Sequence, residues 1–360
     1  MPEGPVMSQD VQEAVASLVR DISGRERVAD LAALAARTTA VVGALVAAGA
    51  PAGRITHAIS RINDRLAARV LELTETRLGR TPAPYCWILF GSEGRREQTF
   101  KTDQDNALVY GDTPDAAEEV RGYFGRFAQA AIANLIAIGF PRCPAGYMAS
   151  TPAWCQPLSV WTSNFSTWVT EPVPDHLLKF LVFCDFRPLQ GRFELAVDLR
   201  EHVRRVATGE RRFLGHLANT VLEFTPPLGM FRTFLVERNA EHKGRFDLKL
   251  KGMTPLVSAV RFLAISHGIT ETGTLERLQA LRDLHALAPA QHDELAAAFE
   301  CVMSLRIRHQ YEQVVNGSAP DNFIDPDGLS RLERKRLKES FAAMSRVQAM
   351  ILELNRAFVH

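Results

Sequence analysis

The sequence has almost no surplus charge of either sign: across 360 residues, 42 lysines and arginines face 41 aspartates and glutamates, a formal net charge of +1. A chain drawn to nucleic acid or to an anionic membrane by its overall field is thereby excluded, and any electrostatic function must be local. Cysteine is scarce and scattered. Cys86, Cys143, Cys155, Cys184 and Cys301 form no CxxC pair and have no histidine at zinc-ligand spacing, so neither a disulfide scaffold nor a zinc finger is expected, and reduced thiols are. The opening MPEGPVMSQD lacks a leader's basic-then-apolar pattern, and the longest apolar runs, such as NLIAIGF and LLKFLVFC, fall far short of the roughly 18 to 20 residues that cross a bilayer. A cytoplasmic chain without a membrane span is the expectation. GxxxxGK(S/T) is absent, and Ser92 sits in FGSEG instead of GxSxG, which removes the P-loop and nucleophile-elbow classes.

What is present is enough apolar sequence, 46%, for the cores of two or three domains. From Val11 to Leu78 the period is helical, with Ile55, Ile59, Ile62, Leu66 and Val70 recurring every three or four residues and GAPAG at 49–53 punctuating two helices. YCWILF (85–90) and NALVY (106–110) read as buried strands, and 115–139 returns to helical spacing with an acidic first turn and a glycine stop. LLKFLVFCDFRP (177–188) is assigned as a third strand, although its first half fits a helix as well. Beyond Gly191 nearly every segment is helical in period, ending in a long amphipathic helix over 329–358. The expected fold is α+β: an N-terminal helical segment over 1–80, a small mixed-sheet core over 81–200 and a C-terminal α-helical bundle over 201–360.

The chemistry concentrates between the first two strands, in FGSEGRREQTFKTDQDN (90–106). Strand side chains alternate faces, so Asp103 and Asp105 share one face at the leading edge of the second strand, where two close carboxylates repel unless a cation separates them. Hard oxygen ligands suit Mg²⁺ or Mn²⁺, with water and substrate phosphate completing the sphere. Gly91 and Ser92 follow the first strand, where a missing Cβ lets backbone N–H groups approach a phosphate and the hydroxyl can donate; Arg95 and Arg96 add guanidinium forks and Lys101 a point charge. Taken singly, DxD is more often a solvated strand start, GSEG a turn, and Arg95 a loop-stabilising partner of Glu93 or Glu97.

Joined as strand, GS, ten residues, DxD and strand, the pattern resembles the nucleotidyltransferase superfamily typified by DNA polymerase β. GSEGRREQTFKTDQDNALV is similar to bacterial nucleotidyltransferases related to PII-protein uridylyltransferase, a group often joined to CBS or cyclic-nucleotide-binding domains. The likeness extends to GFPRCPAGYMASTPAW, FCDFRPLQG, FDLKLKGMTPLVSAVRFLAI and LRIRHQYEQVVNGSAPDNFI, covering roughly residues 50–355. Two features depart from it: Arg96 stands where GSEGRGEQ carries glycine, and no CBS-like region precedes the helical N-terminus.

The resemblance implies that Asp103 and Asp105 hold two Mg²⁺ ions, that Gly91 and Ser92 bind the β and γ phosphates, and that Arg95 neutralises the departing pyrophosphate. It also implies a third metal carboxylate, for which Asp185 in FCDFRP is the candidate; a salt bridge from Asp185 to Arg187 or Arg192 is the competing reading. The implied reaction moves UMP or AMP from a nucleoside triphosphate to an acceptor hydroxyl, on a protein if the uridylyltransferase likeness reaches the substrate. The alternative is a catalytically silent nucleotide-binding regulatory module. Action on DNA or RNA ends is disfavoured by the neutral charge and the lack of a basic stripe. Farther on, Lys249 and Lys251 are placed on one face of an extended segment, and Trp154, Trp161 and Trp168 are read as core.

Overall fold

The computed structural model describes residues 9–101, 103–229, 233–238 and 241–359; most of the opening stretch without a leader pattern lies outside them. The chain is α+β and divides into two compact units, Met1–Ser166 with Leu181–Val203, and Thr167–Phe180 with Arg204–His360.

Three helices begin the first unit: α1 (Gln9–Ser23), α2 (Val28–Ala47) and α3 (Ala52–Leu78). The three-to-four spacing in α3 does what the sequence asks of it, burying Ile55, Ile59, Ile62, Leu66 and Val70. Gly49 at φ 65° ends the helical run before Pro51 and lets the chain reverse into α3. By length and composition α2 is apolar enough to cross a membrane, a property missed when only unbroken apolar runs are counted. Here α2 packs on α1 and α3 and buries Leu31, Leu34, Val42 and Leu45.

The sheet has the order β3-β2-β1-β4. Strand β1 (Tyr85–Leu89) is central and antiparallel to both β2 (Asn106–Tyr110) and β4 (Arg187–Gly191), while β2 runs parallel to β3 (Cys155–Pro157). Every residue of β1 and β2 is buried, as expected of strands covered on both faces. Helix α5 (Ala117–Ala137) covers the sheet through Phe124 and Phe127, whose rings lie 5.0–6.2 Å from those of Tyr85, Trp87 and Tyr110. Trp161, on α6 (Leu158–Thr170), is fully buried and donates its indole N–H to the Leu108 carbonyl at 3.2 Å, in keeping with the core reading of that tryptophan.

Register decides where the chemistry falls. Leu89 pairs with Asn106 on one side and with Arg187 on the other. The end of β1 and the starts of β2 and β4 therefore meet at one end of the sheet, bringing the turn after Phe90, the segment 103–105 and Asp185 together.

Two segments differ from the sequence reading. LLKFLVFC is helical, not a strand: α7 spans Pro174–Phe183, buries Leu177, Phe180 and Leu181 and exposes Leu178, the spacing of a helix with Pro174 at its first position. The strand starts only at Arg187, leaving Asp185 in the connection before it. Lys249 and Lys251 lie on a π-helical turn over Leu248–Met253, because the Asp247 carboxylate accepts from the Leu250 N–H at 2.8 Å and starts the turn there.

In the second unit, α9 (Arg211–Leu222), α10 (Thr254–Ser266), α11 (Thr274–Asp283), α12 (Pro289–Val315) and α13 (Arg331–Val359) form a helical bundle. A two-stranded sheet of β5 (Phe246–Asp247) and β6 (Phe323–Ile324) accompanies them. Helix α8 (Glu194–Gly209) belongs in part to each unit.

Candidate active site

The site begins where β1 stops. The Phe90 N–H donates to the Asp105 carbonyl at 3.0 Å, after which Gly91, at φ 58°, turns the chain into the single helical turn α4 (Gly91–Gly94). A Cβ at Gly91 would stand 2.7 Å from Asp105 Oδ2, and one at Gly94 only 1.9 Å from the Asp185 carbonyl. Both positions must therefore lack a side chain for the two acidic segments to close on the turn. Phe90 supplies no side-chain cap, and among the described residues the amides of Gly91 and Ser92 and the half-exposed Ser92 hydroxyl have no recorded hydrogen-bond partner.

Asp103 and Asp105 are half-exposed, and Gln104 between them is buried with its amide donating to the Phe140 carbonyl at 3.0 Å. The alternation expected of a strand's leading edge is thus present just ahead of β2. Asn106 fixes the strand start: its side-chain oxygen accepts from the Ala149 N–H at 3.0 Å, and its own N–H donates to the Tyr147 carbonyl at 3.3 Å.

Glu93 lies behind Asp105. It is buried, accepts the Asp105 N–H at 3.2 Å and the Gln98 amide at 2.9 Å, and has its carboxyl pushed well above the ordinary range, first by burial and then by the Asp105 charge. Arg187 donates to the Glu93 carbonyl at 3.0 Å and to Asp64 on α3 at 2.7 Å, tying the turn to the N-terminal helices. Burial also pushes the Cys143 thiol up; a Tyr147 backbone hydrogen bond opposes this and the Asp105 carboxylate adds to it, so the group stays a neutral S–H beside Asp105.

Arg95 is 13% exposed and bonded on both sides, to Glu97 at 2.7 Å and to the fully buried Asp185 at 2.8 Å. Burial alone would lower its pKa, but the two carboxylates hold it above the ordinary arginine value. The Asp185 ion pair is therefore with Arg95, and neither Arg187 nor Arg192 is needed to account for its burial. Lys101 and Arg96 are exposed on the same loop.

Among the described residues no group of three or more His, Cys, Asp or Glu side chains is placed to hold a metal. The two half-exposed carboxylates Asp103 and Asp105 still suit Mg²⁺, which is usually held by one or two carboxylates with water and substrate phosphate. A side chain at Gly91 would crowd Asp105 Oδ2, so the glycine is what lets the turn pass beside that carboxylate.

The sequence pointed to Gly91, Ser92, Asp103 and Asp105, and the register brings them together. It missed Glu93, Gln98, Cys143 and the Asp64–Arg187 link, whose roles depend on contacts between segments far apart in the chain. Only Glu93 carried a local signal, as an acid inside the glycine turn.

Two family models match the chain: "Putative nucleotidyltransferase DUF294" over residues 36–175, and "Putative nucleotidyltransferase substrate binding domain" over residues 211–353. No curated protein matches it.

Proposed function

From the premise that this chain belongs to the DUF294 nucleotidyltransferase family, we propose that it moves UMP or AMP from the nucleoside triphosphate to a hydroxyl on an acceptor protein. The acceptor hydroxyl loses its proton to water as its oxygen attacks the α-phosphorus, the bond to the bridging oxygen breaks, and that bond's electron pair leaves with pyrophosphate. The observation that carries this reading is the β1–β2 register, which sets the glycine-serine turn against the Asp103 and Asp105 edge.

Mg²⁺ or Mn²⁺ held by Asp103 and Asp105 would supply charge neutralisation for the triphosphate and for the attacking oxygen. The chain's own groups do the rest. The Gly91 and Ser92 amides and the Ser92 hydroxyl are hydrogen-bond donors suited to phosphate oxygens. Lys101 adds a cation. Glu93 fixes the Asp105 backbone, and Arg95, joined to Glu97 and Asp185, holds the turn to the connection before β4. Asp185 in this reading serves the loop through that pair, which leaves the metal to the other two aspartates.

Incubation with α-labelled UTP or ATP, Mg²⁺ and cell extract tests the proposal. Label should pass to protein with the wild type and not with Asp103→Asn; equal labelling by the two would contradict it.

A further inference from the structure

Asp105 stands just outside the ladder that would fix it. The β1–β2 pairing begins at Leu89 and Asn106, so Asp105 is held by hydrogen bonds to its own peptide groups. Its carbonyl accepts the Phe90 N–H at 3.0 Å, and its N–H donates to Glu93 Oε2 at 3.2 Å. The second bond is only as well placed as the backbone of residue 93. That backbone belongs to the four-residue turn α4, which has no side-chain cap, and a single helical turn is not stable by itself.

The missing constraint comes from Arg187 and, behind it, Asp64. Arg187 opens β4 opposite Leu89, so its main chain is fixed by the sheet. Its side chain is 7% exposed and serves two elements: Nε donates to the Glu93 carbonyl at 3.0 Å and Nη2 to Asp64 Oδ1 at 2.7 Å. A guanidinium is planar and rigid, so holding one end with Asp64 aims the other at residue 93. Asp64 in turn lies on α3, which packs on β4. The series from Asp64 through Arg187 and Glu93 to Asp105 is unbroken, each member hydrogen-bonded to the next.

We propose that Asp64 and Arg187 are positioning residues for the metal site, setting the place of Asp105 through Glu93. The proposal rests on the nucleotidyl-transfer reading in that Asp105 is a ligand of Mg²⁺ or Mn²⁺. Mg²⁺ demands near-ideal octahedral geometry, so a small displacement of one carboxylate weakens its binding, and partners that orient a ligand are commonly worth tenfold or more in metal affinity. Helix α3 thereby belongs to the catalytic apparatus while acting only through other residues.

Titration of the full chain with MnCl₂ alone, followed by the electron paramagnetic resonance of free Mn²⁺, tests it together with the Mg²⁺ dependence of pyrophosphate release from UTP or ATP, cell extract supplying the acceptor. The variants are Asp64→Ala, Asp64→Asn, Arg187→Lys and, as the control, Glu72→Ala, which removes another partly buried α3 carboxylate, the partner of Arg65 and Arg69. Asp64→Ala and Arg187→Lys should weaken Mn²⁺ binding and raise the Mg²⁺ needed for half-maximal release by about tenfold or more, with KM for nucleotide at saturating Mg²⁺ little changed. Asp64→Asn, whose amide oxygen still accepts from Arg187, should recover most of the metal affinity. Arg187→Lys keeps a cation beside Asp64, so it carries the test if Asp64→Ala does not fold. Glu72→Ala should lower the melting temperature and leave both metal readouts at the wild-type value. Metal readouts unchanged in the folded variants, or shifted equally by Glu72→Ala, overturn the assignment, while pyrophosphate release by the wild type keeps the nucleotidyl-transfer reading. A wild type that releases no pyrophosphate overturns both.

Discussion

Two glycines and a doubly paired arginine set the geometry of the site at the scale of single residues. A Cβ at Gly94 would meet the Asp185 backbone oxygen at 1.9 Å, and backbone cannot step aside as a side chain can. Gly94→Ala should therefore cost about 3 kcal/mol or more in a denaturant titration, at the severe end for one substitution. At Gly91 the obstacle is the Asp105 carboxylate itself, so Gly91→Ala should keep the fold and lower transfer by about tenfold or more by displacing Asp105. Asp185→Ala should cost about 3–5 kcal/mol by leaving Arg95 buried with one partner, and the double variant Arg95→Met with Asp185→Ala should recover part of that. Glycine, serine and paired aspartates were legible in the sequence because their chemistry is local and their spacing tight. The Arg95–Asp185 pair was not, since it joins residues 90 apart and needs the β1–β4 pairing to exist. The position where glycine was expected, Arg96, proves to be one that glycine would occupy without strain.

Among the elements, long periodic segments were the legible ones: α3, α12 and α13 follow their apolar spacing, and β1 and β2 their short buried runs. LLKFLVFC misled because a short apolar run satisfies helix and strand alike, and the proline before it decides in favour of the helix. The start of α13 illustrates a local signal that does survive folding. Ser330 and Glu333 form a reciprocal cap, with the Ser330 N–H donating to Glu333 at 2.8 Å and the Glu333 N–H to the Ser330 hydroxyl at 3.2 Å. Hydrogen bonding to Ser330, reinforced by Arg308, holds the Glu333 pKa at about 2, below its ordinary 4.5. A folded-state pKa lowered in this way contributes stability above the ordinary carboxylate value that is lost as pH falls toward 2. The stability difference between wild type and Glu333→Gln, measured by urea unfolding, should therefore be largest above about pH 5 and shrink on acidification to pH 2.

Over the whole molecule, the N-terminal helices and the sheet fall in one compact unit and the helical bundle in the other. The sequence carries helical spacing up to Leu78 and short buried runs from Tyr85, but which elements share a core is not written in it, because amphipathic faces do not name their partners. We propose that Asp103 and Asp105 make this chain a metal-dependent nucleotidyltransferase and not a silent nucleotide sensor. Pyrophosphate release from UTP or ATP, measured with cell extract supplying the acceptor, tests it most directly. Release should require Mg²⁺ or Mn²⁺ and fall about a hundredfold or more in Asp103→Asn and Asp105→Asn. Nucleotide bound tightly by all three proteins, with no pyrophosphate released by the wild type, would contradict it.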